Sequence, residues 1–243
     1  MLRNWEKELE ARVAFIRNTV EKAGANGIVF GNSGGKDSAL VGILCKMACK
    51  NTLGVLMPCG SARNYSIDKQ DGLKIAGQFG IDSITIDLSP VKSELLYALS
   101  MQEISSAAQS NIAPRLRMAT LYAVAQSRGC LVAGTGNRSE AYVGYFTKWG
   151  DGAYDFNPIS DLTVTEIFEF LRFLGAPSFI IEKAPSAGLY DGQTDETEMG
   201  FTYRELDRYL LGGESSPEAL KKIEAMHERS HHKREPAVSY QDC

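Results

Sequence analysis

At 243 residues, 44% hydrophobic and 23% charged, the chain has the composition of a soluble globular protein, which excludes the disordered and fibrous classes. That length supports one large domain or two small ones and buries enough surface to fold without metal or disulfide. Twenty-six basic residues against thirty acidic ones leave a net charge of −4. A dedicated nucleic-acid binder would carry a basic excess, so no nucleic-acid partner is expected.

In chain order, the first 24 residues predict an amphipathic helix, with Trp5, Leu9, Val13, Ile16 and Val20 spaced for one buried face. Gly27 to Phe30 is a short apolar strand running into the glycine-rich Gly31 to Gly35, and Ser38 to Lys50 has helical spacing. Thr52 to Met57 predicts a second strand stopped by Pro58, Asp68 to Phe79 a helix, and Ser83 to Asp87 a third strand. Helices follow near Val91 to Met101 and Pro114 to Arg128, then a fourth strand at Cys130 to Ala133. From Asp161 onward the chain reads as helices: Thr163 to Leu174, Thr202 to Leu211 and Ser216 to Arg229. The polar stretch Lys183 to Gly200 is longer than most connections and is a candidate lid or site loop.

Strands alternating with helices predict an α/β architecture, a parallel sheet covered on both faces, with a helical C-terminal extension. The whole of 1–243 reads as a single domain. No apolar run approaches the roughly 18 residues that would span a bilayer, and the start MLRNWEKELEARVAF has acidic residues where a secretory signal needs basic and apolar ones. The five cysteines, Cys45, Cys49, Cys59, Cys130 and Cys243, contain no C-x-x-C pair. These features predict a cytoplasmic protein without a membrane partner, its thiols reduced. Cys45 and Cys49 lie one turn apart in an apolar stretch and read as core thiols.

Parallel sheets bind ligands at the carboxyl ends of their strands, and two loops of unusual composition begin there, at Gly31 and Gly134. Residues 31 to 39 read GNSGGKDSA. Glycines let successive backbone N–H groups converge on an anion, and the following helix adds its positive end, so the loop is suited to phosphate. Lys36 adds a positive charge and the Ser33 and Ser38 hydroxyls add donors. A carboxylate, Asp37, beside phosphates makes sense as a ligand of Mg²⁺, which prefers oxygen and bridges to phosphate oxygens. The spacing fits neither a Walker A loop nor the Rossmann glycine pattern.

The string Ser33-Gly-Gly-Lys-Asp-Ser38 resembles the signature of the ATP pyrophosphatases, which split ATP between its α and β phosphates. Four further segments narrow the resemblance: NIAPRLRM at 111–118, GTGNRSEAYVGYFTKWGDGAYDFNPISDL at 134–162, KAPSAGLYDGQTDETEMGF at 183–201 and HHKREP at 231–236. Together they are similar to the ammonia-dependent NAD synthetases, over nearly the whole chain. The resemblance implies a three-layer fold like that of the adenine nucleotide alpha hydrolases and an amide ligase acting on ATP, deamido-NAD and ammonia. It implies ATP contacts from Gly31, Asn32, Ser33, Gly34, Gly35, Lys36, Asp37, Ser38, Thr135 and Ser186, and Mg²⁺ bound by Asp37 and Glu140. It places Arg115, Lys148, Asp155, His232 and Lys233 on deamido-NAD, and it implies a homodimer. No general base stands out; Asp155 is the candidate for positioning or deprotonating ammonium.

Two positions depart from the family pattern. Val164 stands where many members have a lysine that reaches ATP, and Gly188 stands in place of an aspartate. Two alternatives therefore stay open: an ATP pyrophosphatase with another acceptor, tRNA thiolation included, and a sensor that binds ATP without consuming it. Elsewhere, Asp195, Glu196 and Glu198 read as a solvated acidic loop, and His227 with His231 as a surface pair. The basic run His231 to Arg234 reads as a mobile tail that folds back over bound dinucleotide.

Overall fold

A computed structural model describes residues 3–60, 64–183 and 194–240. Strands β1 (Gly27–Gly31), β2 (Thr52–Leu56), β3 (Asp82–Thr85) and β4 (Cys130–Ala133) form a parallel sheet in the order β3-β2-β1-β4. Alternation along β1 divides the core into two layers. Ile28 and Phe30 face a cluster that includes Ile16, Leu40, Leu44 and Phe170. Val29 faces the other way, with Leu53, Val55, Val132 and Ala125. Both faces are covered, which is why these strands are apolar runs rather than alternating ones.

Helices α1 (Trp5–Lys22) and α2 (Lys36–Ala48) pack against each other on the first face. A π-helical turn at Asn64–Asp68 leads into α3 (Lys69–Gln78), and α4 (Ser89–Ala98) and α5 (Ser106–Ser110) follow. On the second face α6 (Ile112–Arg128) lies along β1 and β4 and ends at Gly129 in a left-handed cap. After β4 come α7 (Arg138–Val143), α8 (Val164–Phe173), α9 (Ser178–Ile181), α10 (Asp195–Met199), α11 (Tyr203–Leu210), α12 (Pro217–Arg229) and α13 (His231–Arg234). Helix α8 sends Ile167, Phe170 and Leu171 into the first layer, while Val164 joins α7, α11 and α12 in a third cluster around Leu206 and Ile223. The predicted layers and C-terminal helical extension are therefore present.

Three of the late helices start with reciprocal caps: Asn137 with Glu140, Thr163 with Glu166, and Thr202 with Glu205. Each satisfies two backbone donors that a helix start otherwise leaves open. One boundary differs in a way that matters below. Helix α2 begins at Lys36 rather than Ser38, because Gly35 is extended (φ −100°, ψ 170°) and forms the N-cap itself. Lys36 thus occupies the first helical turn.

Candidate active site

Strand β1 lies between β2 and β4, so the chain leaves β1 and β4 in diverging directions and opens a crevice beyond their carboxyl ends. A cleft of about 980 Å³ lies there. It is lined on one side by the loop after β1 and on the other by Gly134, Thr135 and Gly136 after β4, with Glu140 behind. Both loops singled out by composition therefore meet at one site.

The loop after β1 is built for rigidity. Gly34 has φ +70°, and a Cβ there would stand 2.0 Å from the backbone oxygen of Asp68, so only glycine fits. Asn32, nearly fully buried, donates to the Gly72 carbonyl at 3.0 Å and accepts from the Gly34 amide at 3.3 Å. The hydroxyls of Ser33 and Ser38 lie 3.0 Å apart, and Ser38 donates to the Gly35 carbonyl. Lys183 ties the loop to α3: its Nζ donates to the Gly34 carbonyl at 2.9 Å and pairs with Asp68 at 2.8 Å and Asp71 at 2.9 Å. Lys183 and Asn32's bracing role escaped the sequence reading, since their partners lie on elements distant in the chain.

Asp37 stands in the first turn of α2, where the helix dipole favours an anion. One oxygen accepts from the Asn137 side chain at 3.0 Å, and the other pairs with Lys36 Nζ at 2.8 Å. Asn137 is fully buried and also caps α7, so it couples the two loops. Burial, and then the charge of Asp37, push Glu140 well above the usual carboxylate range, with Lys36 opposing. Lys36 is itself buried, and its ammonium lies 5.6 Å from the ring centroid of Tyr203. Burial alone would lower it, but Asp37, Glu140 and Asp195 outweigh that and hold it above its ordinary range. Val164 takes no part in this polar group; it is 2% exposed in the third apolar cluster.

The acidic stretch forms α10 and is solvated only in part, with Glu198 exposed and Glu196 half-buried. Asp195 is 3% exposed, lines the cleft and accepts a hydrogen bond from Tyr203 Oη at 3.0 Å. Glu196 accepts from the Tyr203 amide at 2.8 Å, and Glu198 accepts from Tyr145 Oη. Asp195 and Glu196 hold the start of α11, while exposed Glu198 is tied to the segment after α7 through Tyr145. Ser186 and Gly188 lie outside the described residues.

Of the residues matched to deamido-NAD, Lys233 lines the cleft. Its Nζ donates to the carbonyls of Gly144 (2.7 Å) and Phe146 (2.8 Å), and burial lowers its pKa while Asp151 opposes. Arg115 is exposed and reaches the Lys148 carbonyl at 3.4 Å; Lys148 in turn donates to the carbonyls of His232 and Glu235. Lys148 is half-buried, its Nζ 5.3 Å from the ring centroid of exposed Trp149. Asp155 braces β4, accepting from the Val132 amide at 2.7 Å and from Tyr122 Oη at 3.2 Å. The basic tail is not free: Arg234 donates to the carbonyls of Tyr142 and His227, and Lys233 is docked as described. His227 stacks on Tyr142 with centroids 4.1 Å apart, whereas His231 is exposed, so they form no pair. Arg117, also on the cleft wall, donates to the Met57 carbonyl at 3.2 Å and is lowered by its burial. Its neighbour Arg115 drew the sequence reading, yet Arg117 is the one facing the cleft.

The model of the NAD synthase family matches residues 8–237. The chain belongs to the NAD synthase family. A relative from Carboxydothermus hydrogenoformans named NH(3)-dependent NAD(+) synthetase is 47% identical, the match covering 95% of this chain and 96% of that one. Among solved structures, an NMN synthetase from Francisella tularensis superposes with a TM-score of 0.93 at 37% identity, covering 98% of this chain and 99% of that one. An NH3-dependent NAD synthetase from Campylobacter jejuni gives a TM-score of 0.81 at 28% identity, covering 98% and 100%. NAD synthases are ligases that use ATP, which suits a cleft lined by the glycine-bearing loop after β1 and the start of α2. Among the described residues no helix is long and apolar enough to cross a membrane.

Proposed function

We propose that this protein amidates the nicotinate carboxylate of deamido-NAD with ammonia, using ATP, to give NAD, AMP and pyrophosphate. The observation that carries the reading is the family match across residues 8–237, combined with a Ser33-to-Ser38 loop held open at the cleft. A carboxylate is a poor electrophile. Attack of one of its oxygens on the α-phosphorus expels pyrophosphate; ammonia then attacks the acyl carbon, and AMP leaves with that oxygen.

In this reading Gly31 to Ser38 and Thr135 hold the ATP phosphates, with Ser186 from the following loop. The backbone amides and the start of α2 meet charge as it builds on the departing pyrophosphate. The oxygens of Asp37 and Glu140 fit Mg²⁺: they are hard donors at the edge of the amide nest. Among the described residues no three His, Cys, Asp or Glu gather into a metal cage. Bound there, Mg²⁺ would neutralise phosphate charge as the acid approaches. Arg115, Lys148, Asp155, His232 and Lys233 hold deamido-NAD. A second copy of the chain completes a homodimer. The protein works in the cytoplasm.

A second reading changes the acceptor to nicotinate mononucleotide. It is favoured by the superposition on the NMN synthetase at a TM-score of 0.93, against 0.81 for the Campylobacter NAD synthetase. Incubation with ATP, Mg²⁺, ammonium and either acid separates the two. The leading reading expects AMP and pyrophosphate with higher kcat/KM on deamido-NAD. A preference for the mononucleotide transfers the assignment to the second reading, and ATP left intact with both acids defeats both.

A further inference from the structure

Lys36 is placed against the local field of its helix. It is in the first turn of α2, where the dipole opposes a cation, and it is only 6% exposed. Burying an ammonium there costs free energy unless anions surround it. They do: Asp37 Oδ2 lies at 2.8 Å, and Glu140 and Asp195 contribute their charge. Tyr203 closes the arrangement, its ring facing the ammonium at 5.6 Å and its hydroxyl bound to Asp195. The carboxylate oxygen 2.8 Å from the ammonium therefore belongs to one of the two residues assigned above to Mg²⁺.

We propose that Lys36 is a built-in counter-cation that occupies the Asp37 carboxylate of the Asp37–Glu140 pair until nucleotide arrives, so that the protein takes up Mg²⁺ only together with ATP. This rests on the assignment of Asp37 and Glu140 as the metal pair. Mg²⁺ sits about 2.0–2.1 Å from its oxygens and repels an ammonium on the same carboxylate. With no phosphate in the cleft, the displaced ammonium would be stranded in a buried site. With phosphate present it has a new anionic partner, reached by rotation of a flexible four-carbon stem. The metal and the lysine thus exchange partners, and neither charge is left unpaired. The consequence is an order of binding: the Asp37 carboxylate stays paired in the free enzyme, and a bare divalent ion competes poorly for it.

Mn²⁺ titration of the full chain, followed by electron paramagnetic resonance with no nucleotide present, tests this. Lys36→Gln should bind one Mn²⁺ at least about tenfold more tightly than wild type, while Lys36→Arg keeps the weak wild-type affinity. Adding Asp37→Asn to Lys36→Gln should abolish the gain. Saturating Mn²⁺ should raise the melting temperature of Lys36→Gln by about 5 °C and leave wild type almost unmoved. If Lys36→Gln does not fold, the ¹⁵Nζ resonance of Lys36 in wild type gives the answer instead: Mg²⁺ alone should leave it in place and MgATP should shift it. Equal Mn²⁺ affinity in wild type and Lys36→Gln, or a Lys36 signal displaced by Mg²⁺ alone, overturns the proposal. Such a result in a protein that still forms AMP from ATP and the acid leaves the amidation reading intact.

Discussion

Gly34 illustrates how one residue sets the geometry of the site. Its positive φ and the 2.0 Å approach to the Asp68 carbonyl leave no room for a side chain. Gly34→Ala should cost about 1–3 kcal/mol from the backbone conformation alone, with a further loss as α3 is pushed aside. ATP affinity by calorimetry should fall by at least about tenfold, since the amides no longer converge. Lys183 makes the second residue-scale case. It is 13% exposed and supplies countercharge to Asp68 and Asp71, themselves 12% and 11% exposed. Lys183→Met should lower stability in denaturant by about 3 kcal/mol, the scale for breaking a buried pair. A loss well below 1 kcal/mol would show that the ties to α3 are not what secures the loop. The Ser-Gly-Gly-Lys-Asp-Ser string was legible because its chemistry is local. Lys183, Asn137 and Tyr203 were not, because each acts on a partner the fold brings from another element.

At the scale of elements, the strands were readable as buried apolar runs, and all four were placed within a residue or two. The reading failed where tertiary partners decide. Asp195, Glu196 and Glu198 have the composition of a solvated loop, yet Tyr203 draws Asp195 and Glu196 inward while Glu198 stays exposed. The tail His231 to Arg234 has the composition of a mobile terminus, yet backbone carbonyls around α7 and α12 accept from Lys233 and Arg234. Gly144, with φ +68° and Ser230 closely apposed, makes that docking possible. The link between α1 and the segment before α8 is ionic: Arg12 donates to both oxygens of Asp161, at 2.7 and 2.9 Å, and Arg3 reaches Asp161 at 2.9 Å and Glu166 at 2.7 Å. Burial would raise Asp161, but the hydrogen bonds and charge of Arg12, with Arg3, bring it down from 3.8 to about 2. A carboxylate depressed in the folded state stabilises above its unfolded pKa and loses that contribution as pH falls through the folded value. Asp161→Asn should therefore melt below wild type at pH 7, and the gap should close as pH falls from 3.8 towards about 2. A gap that persists unchanged at pH 2 would mean the link is held by packing rather than by charge.

For the whole molecule, the strand order places two compositionally unusual loops side by side at the point where the chain diverges. The sheet was legible in the sequence; the crevice was legible only as a coincidence of two strand ends. The links from Arg115 to Lys148 and from Lys148 to the His232 carbonyl were not legible, because nothing in their spacing brings residues from α6, the segment after α7 and the tail together. The account depends on ATP being attacked at its α-phosphorus by the acid's own carboxylate. Its most direct test is turnover with ammonium and deamido-NAD bearing ¹⁸O in the nicotinate carboxylate, followed by mass spectrometry of the nucleotide and phosphate products. One labelled oxygen should appear in AMP and none in pyrophosphate. Label in inorganic phosphate together with ADP, or AMP formed without label, would contradict it.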